Sequence, residues 1–135
     1  MIIRPYQPPD EEQVVELWRL CGLVVPPNDP RQEIERKMQV QPELFLVGVV
    51  AERIVATVMA GYDGHRGWLY ALAVTPDRQR QGLGRRMVEE AEARLKAMGC
   101  RKINLQIRAS NAAVIGFYES LGFSVEERVS LGKRL

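Results

Sequence analysis

The stretch from Trp68 to Ile107 limits what this chain can fold into more than any other. It reads as an apolar strand, a glycine loop, an amphipathic helix and a second strand. "WLYALAV" is a strand-like apolar run stopped by Thr75 and Pro76. In the helix that follows, Met87, Val88, Ala91, Leu95 and Met98 share one apolar stripe, and Gly99 ends it. In "KINLQI", Ile103, Leu105 and Ile107 alternate with Asn104 and Gln106, which is a strand's period of two. Two strands linked through a helix pair in parallel by a crossover, so this unit predicts a parallel pair covered by a helix.

The remainder adds strands and two earlier helices. Ile2–Arg4 reads as a first strand. Asp10 and Gln13 resemble a capping box for a helix carrying Val14, Leu17, Trp18 and Cys21, with Gly22 as its stop. Asp29 caps a second helix whose first residue is Pro30. "ELFLVGVV" and "RIVATVMAGY" form a hairpin around Ala51–Glu52, and "YDGHRG" is a turn. Ser110 or Asn111 caps a last helix with Val114, Phe117, Tyr118 and Leu121 on one face, and "FSVEERVSLGKRL" supplies one or two final strands. The predicted architecture is α/β: one domain over residues 1–135, with a mixed central sheet of six to seven strands and about four helices.

Composition narrows the function classes. A net charge of +2 argues for neither nucleic acid nor a membrane surface as partner, because the basic residues gather locally around Arg78–Arg86. The longest apolar run, Leu44–Ala51, falls far short of the roughly 20 residues that span a bilayer. "MIIRPYQPPDEE" lacks the apolar core of a secretion signal, so the expectation is a cytoplasmic protein. Cys21 and Cys100 form no CxxC pair and His65 is the lone histidine, so no metal site is expected and the thiols read as reduced.

"RQRQGLGRRM", Arg78–Met87, is the candidate for chemistry. A glycine loop that opens a helix is a ready anion site, because the first helical N–H groups lack partners and the helix dipole favours negative charge. Nothing here matches a Walker loop, GxxxxGK[ST], and the dinucleotide pattern GxGxxG fails at Met87. A plain turn with a solvated basic face stays open on the loop alone.

The wider pattern is more specific. Gln79-Arg80-Gln81-Gly82-Leu83-Gly84 resembles the Q/R-x-x-G-x-G/A signature of the GNAT N-acetyltransferase superfamily, and "SNAAVIGFYESLGF" resembles that family's second block. The element order is similar to the GNAT fold over essentially the whole chain. "NDPRQEIERKM", "GYDGHRG" and "SLGKRL" look like a small bacterial, YpeA-like branch.

The resemblance implies an acetyl-CoA-dependent N-acetyltransferase in which an amine attacks the thioester directly. The acceptor would be a small-molecule or peptide amine, and a homodimer stays open. It implies that the backbone of Arg80, Gln81, Gly82, Leu83, Gly84 and Arg85 cradles the pyrophosphate. Leu72, Ala73 and Val74 would pair with the pantetheine arm and offer an N–H to the thioester carbonyl. Asn111 would hydrogen-bond the cofactor, or serve only as a helix cap. Tyr118 would give a proton to the departing thiolate. The ribosomal N-acetyltransferases of the family carry a glutamate base where this chain has Gln106. A water chain, or His65 and Asp63 in the turn, are the remaining routes for that proton. An acyl-CoA-binding sensor or interaction module with little turnover is the alternative reading.

Overall fold

The longest strand, β3 (Arg53–Tyr62), carries the sheet. It pairs antiparallel with β2 (Phe45–Val50) on one side and with β4 (Gly67–Val74) on the other. β1 (Ile2–Pro5) lies antiparallel to β2, and β5 (Ile103–Asn104) parallel to β4. The order across the sheet is therefore β1-β2-β3-β4-β5, mixed as expected. The helices are α1 (Glu11–Leu20), α2 (Pro30–Met38), α3 (Leu83–Ala97) and α4 (Ala112–Ser120). The structure is a computed structural model describing Met1–Leu135, and it divides into two units, Met1–Leu105 and Gln106–Leu135. No helix is long and apolar enough to cross a membrane.

In the first unit, side-chain alternation sends the two faces of the sheet to different helices. Phe45, Val47, Met59 and Ala73 join Val14, Leu17, Trp18 and Ile34 in one cluster beneath α1 and α2. Tyr6 and Trp18 both stack on Phe45, at 4.6 and 6.1 Å between centroids. The other face meets α3 through Met87, Val88, Ala91 and Leu95, all fully buried. Met98, expected to continue that stripe, is exposed: it caps the C-terminus of α3 and lies beyond the last packed turn.

Two local expectations change. The capping box sits one turn earlier than expected, between Gln7 and Asp10 of a short 3-10 helix. Asp10 gives α1 no side-chain cap. Its carboxylate instead accepts from the Gln7 N–H and, at 2.7 and 3.0 Å, from Arg4. Burial raises the Asp10 pKa, but these hydrogen bonds and the Arg4 charge outweigh it, and the net shift is downward. Gln13 is freed from capping, and its Oε1 accepts from the Ile54 N–H of β3. Asp29 does cap α2, accepting from the Arg31 N–H.

The sheet has five strands, not six or seven. No strand forms in "FSVEERVSLGKRL", where Val125, Val129 and Leu131 are all exposed. Strand propensity is realised only against a pairing edge and a packed face, and this segment's apolar alternation has neither. "KINLQI" likewise shortens to two paired residues, Ile103 with Gly67 and Asn104 with Trp68.

β4 breaks its register on β3 at one point. Thr57 faces Ala73 and Met59 faces Tyr70, so Val58 alone spans both Ala71 and Leu72. This is a β-bulge, and Ala71 sits in the left-handed region at φ 53°. A buried relay holds it: Trp18 Nε1 donates to Thr57 Oγ1 at 2.9 Å, and that hydroxyl donates to the Ala71 carbonyl at 2.9 Å.

Two outcomes test this frame. Thr57→Val leaves the Trp18 N–H buried without an acceptor and should cost about 1–3 kcal/mol in urea unfolding. Gly67→Ala would put a Cβ 2.8 Å from Cys100 Sγ and 3.1 Å from Leu95 Cδ1. It should destabilise by about 1–3 kcal/mol, and adding Cys100→Ala should recover part of that loss.

Candidate active site

β4 delivers three of the expected site residues in succession. Leu72 lies in the bulge and is half-buried, Ala73 is buried against Thr57, and Val74 closes the strand opposite Ala56. The β4–β5 ladder has two positions, both upstream of the bulge. The Val74 carbonyl accepts from Gln79 Nε2 at 3.0 Å and from Cys21 Sγ at 3.3 Å, which ties the strand end to the loop after it and to the end of α1.

That loop is braced from outside. Arg53 reaches from β3 to bind both Asp77 oxygens and Thr75 Oγ1, and Thr75 Oγ1 donates to Asp77. The Arg53 guanidinium and the Thr75 hydroxyl hold the Asp77 carboxyl well below the usual carboxylate range. The chain then makes two left-handed steps, at Arg80 (φ 64°) and Gly82 (φ 78°), before α3 begins at Leu83. Glycine adopts that conformation freely, whereas at Arg80 it costs about 1 kcal/mol or more.

The N-terminus of α3 is chemically open. Gly82 is the N-cap, no side chain caps it, and the first turn has no acidic residue. The N–H groups of Leu83, Gly84 and Arg85 are those a helix leaves without an internal partner. Arg80 and Gln81 are exposed just upstream. The nearby arginines divide by partner. Arg86 donates to the Met1 carbonyl, Arg85 faces Glu89 at 3.5 Å, and Arg80 has no ion pair. Arg78 buries its Nε with no hydrogen-bond partner.

In the second unit, Asn111 is the N-cap of α4, its Oδ1 accepting from the Val114 N–H at 3.3 Å. Tyr118 is the one buried residue of that helix, and its ring meets Phe117 and Phe123 edge-on at 5.1 and 5.4 Å. Burial pushes its phenol up to about 12. Gln106 donates to Ser130 Oγ at 2.6 Å.

The "YDGHRG" turn is occupied by its own hydrogen bonds. Asp63 accepts from the N–H groups of His65 and Arg66 and from Trp68 Nε1, and those contacts lower its pKa in that order of Arg66, His65, Trp68. Trp18 is core and Trp68 is partly exposed. Cys21 and Cys100 are free thiols, and no three His, Cys, Asp or Glu side chains gather as a metal site.

Reading the residues alone overlooked the bulge and its relay. The signal was faint: Thr57 is the lone hydroxyl within the apolar run of β3, and such a residue has to find partners. Lys37, which nothing in the sequence singles out, is also buried.

The Acetyltransferase (GNAT) family matches residues 11–123. An acetyltransferase from Yersinia enterocolitica is 47% identical over 135 residues, covering 100% of this chain and 96% of that protein. One from Pectobacterium atrosepticum gives the same 47%, with 100% and 96% covered. Among solved structures, the ribosomal-protein-S18-alanine N-acetyltransferase of Escherichia coli is 28% identical. It has a TM-score of 0.76, with 91% of this chain and 77% of that chain covered. The PaiA N-acetyltransferase of Thermoplasma acidophilum, solved with coenzyme A, shares the fold at 19% identity. Its TM-score is 0.77, with 95% and 92% covered. A family match over most of the length and relatives at this identity place the chain in the GNAT acetyltransferase family.

Proposed function

We propose that this chain transfers acetyl from acetyl-CoA to a primary amine by direct attack, working as one domain over residues 1–135. The observation that carries the reading is the uncapped, acid-free N-terminus of α3 at the end of a bulged strand. Those groups fit a pyrophosphate: backbone N–H donors from Arg80 to Arg85, a positive helix end, and the cation of Arg80 without an ion pair. A coenzyme A complex in a fold relative supports the same donor. Leu72, Ala73 and Val74 would align the pantetheine arm along β4 and offer an N–H to the developing oxyanion. Asn111 would contact the cofactor beside its capping bond.

The reaction forms a C–N bond and breaks a C–S bond. Tyr118 stays protonated because its pKa stands near 12. The phenol is then a weaker acid than an ordinary thiol. It serves as hydrogen-bond donor to the departing sulfur, and the proton lost by the new amide replaces the one it passes on. A proton must leave the ammonium before attack. Gln106 cannot accept it, so water takes it in this reading. The acceptor class is a small-molecule, peptide or protein amine; the ribosomal-protein-S18-alanine N-acetyltransferase, which shares this fold, supports an amine acceptor. Gln106 also favours a second reading, an acyl-CoA-binding module with little turnover.

Acetyl-CoA should raise the melting temperature, since a ligand bound by the folded state alone stabilises it; no shift at millimolar acetyl-CoA would defeat both readings. Tyr118→Phe should lower kcat by about 10²-fold while leaving acetyl-CoA affinity near its original value. An unchanged rate would remove Tyr118 from the mechanism, and tight acetyl-CoA binding with no thiol release from any amine would favour the second reading.

A further inference from the structure

Lys37 is the outstanding electrostatic feature of the first unit. It lies in the last turn of α2 with only 5% of its surface exposed. Its ammonium donates to the Ala60 carbonyl and sits 5.9 Å from the centroid of the Tyr70 ring. It makes no ion pair, whereas the buried Asp10 has Arg4 at 2.7 Å. An ammonium has three donors, and a buried charge is costly unless it is paired and hydrogen-bonded. Burial lowers the Lys37 pKa, opposed by Glu43, which is itself exposed. Glu33, the acid acting on Tyr70, is engaged by Arg36 at 3.1 Å.

Gly61 borders the pair. A Cβ there would stand 3.7 Å from Gln41 Oε1, 3.8 Å from Tyr70 OH and 3.9 Å from Lys37 Nζ. All three are ordinary contact distances, so the missing side chain leaves a methyl-sized notch bordered by both the hydroxyl and the ammonium, on a half-buried end of β3. Gln41 is fixed at its rim by two hydrogen bonds to the Tyr62 backbone, at 2.8 and 2.9 Å. Trp68 faces Gly61 across the ladder, and it and Tyr70 are 36% and 46% exposed. Tyr70 directly precedes Ala71 and Leu72 of the bulge, and neighbouring Cα atoms are about 3.8 Å apart.

We propose that Lys37 and the Tyr70 hydroxyl receive a carboxylate carried by the acceptor, so that the amines acetylated are amino-acid-like, with an acid group a few bonds from the reacting nitrogen. This rests on the acetyltransferase reading and gives it a substrate class. The acid supplies the counter-charge that Lys37 lacks, and the Trp68 and Tyr70 rings flank the remainder of the acceptor.

The test compares L-amino acids with their own carboxamides, which keep the amine and side chain but lose the charge. In a thiol-release assay with acetyl-CoA, the acid should exceed its amide in kcat/KM by at least about 10-fold, mainly through KM. Lys37→Met should erase that preference while changing kcat/KM for the amide less than about 3-fold. Gly61→Val, which fills the notch within a strand, should do the same and serves if Lys37→Met does not fold. Equal use of acid and amide, or equal losses for both in the variants, would overturn the assignment. Melting curves without acetyl-CoA read the subsite apart from transfer. The acid should raise the melting temperature of the parent chain and not of Gly61→Val. If acid and amide shift it alike, the subsite is refuted whatever the transfer assay gives. If the acid alone shifts it but no thiol is released, the acetyltransferase reading fails and the subsite stands.

Discussion

The hydrogen bond from the Trp18 indole to Thr57, passed on to the Ala71 carbonyl, holds the rest of this structure in place. A bulge left to itself is a weak point in a ladder, with an unpaired residue and increased local twist. Here the Ala71 carbonyl has a buried donor, and that donor is itself fixed by an aromatic stacked into the core. The bulge separates β4 into a stretch that pairs with β5 and one that ends at the glycine loop. The direction in which Leu72–Val74 and α3 project follows from it. α1 thus does more than cover a sheet face, because its Trp18, through Thr57 of β3, sets the geometry of the neighbouring strand β4.

The helices were the readily legible part of the chain. Met87, Val88, Ala91 and Leu95 announced α3, Asp29 and Pro30 announced the start of α2, and Asn111 the start of α4, because caps and period are local properties. Met98 failed because periodicity does not say where packing stops. The strands were legible where both neighbours exist, as in β2 and β3. They differ from the structure in 123–135, where alternation is present but pairing, which is non-local, is not. Asp10 was correctly marked as a helix-start residue and wrongly paired. Gln13 was the visible partner, while Arg4 and the Gln7 N–H won because a cation is the better partner for a carboxylate with little access to water.

The glycine loop was legible as an anion cradle from Gly82 and Gly84, yet the structure divides its arginines in a way that residue type alone does not. Arg85 and Arg86 face partners within the chain, while Arg80 is without an ion pair and Arg78 buries an unpartnered Nε. The left-handed backbone at Arg80 was not legible, since arginine gives no warning of it. Lys37 shows the same limit in reverse. A lysine in a polar helix reads as solvated, and only the tertiary fold reveals that it faces inward.

The β2–β3 turn has its own consequence. Ala51 and Glu52 are both left-handed, at φ 49° and 66°, and neither is a residue that favours that conformation. Each costs about 1–2 kcal/mol as an isolated turn. Left-handed backbone at both central residues is nonetheless what a two-residue type I′ hairpin turn requires, and its twist matches that of the flanking strands. The pairing of Phe45–Val50 with Arg53–Tyr62 offsets the strain at the tip, and the two-residue turn in return fixes which residues of the two strands meet.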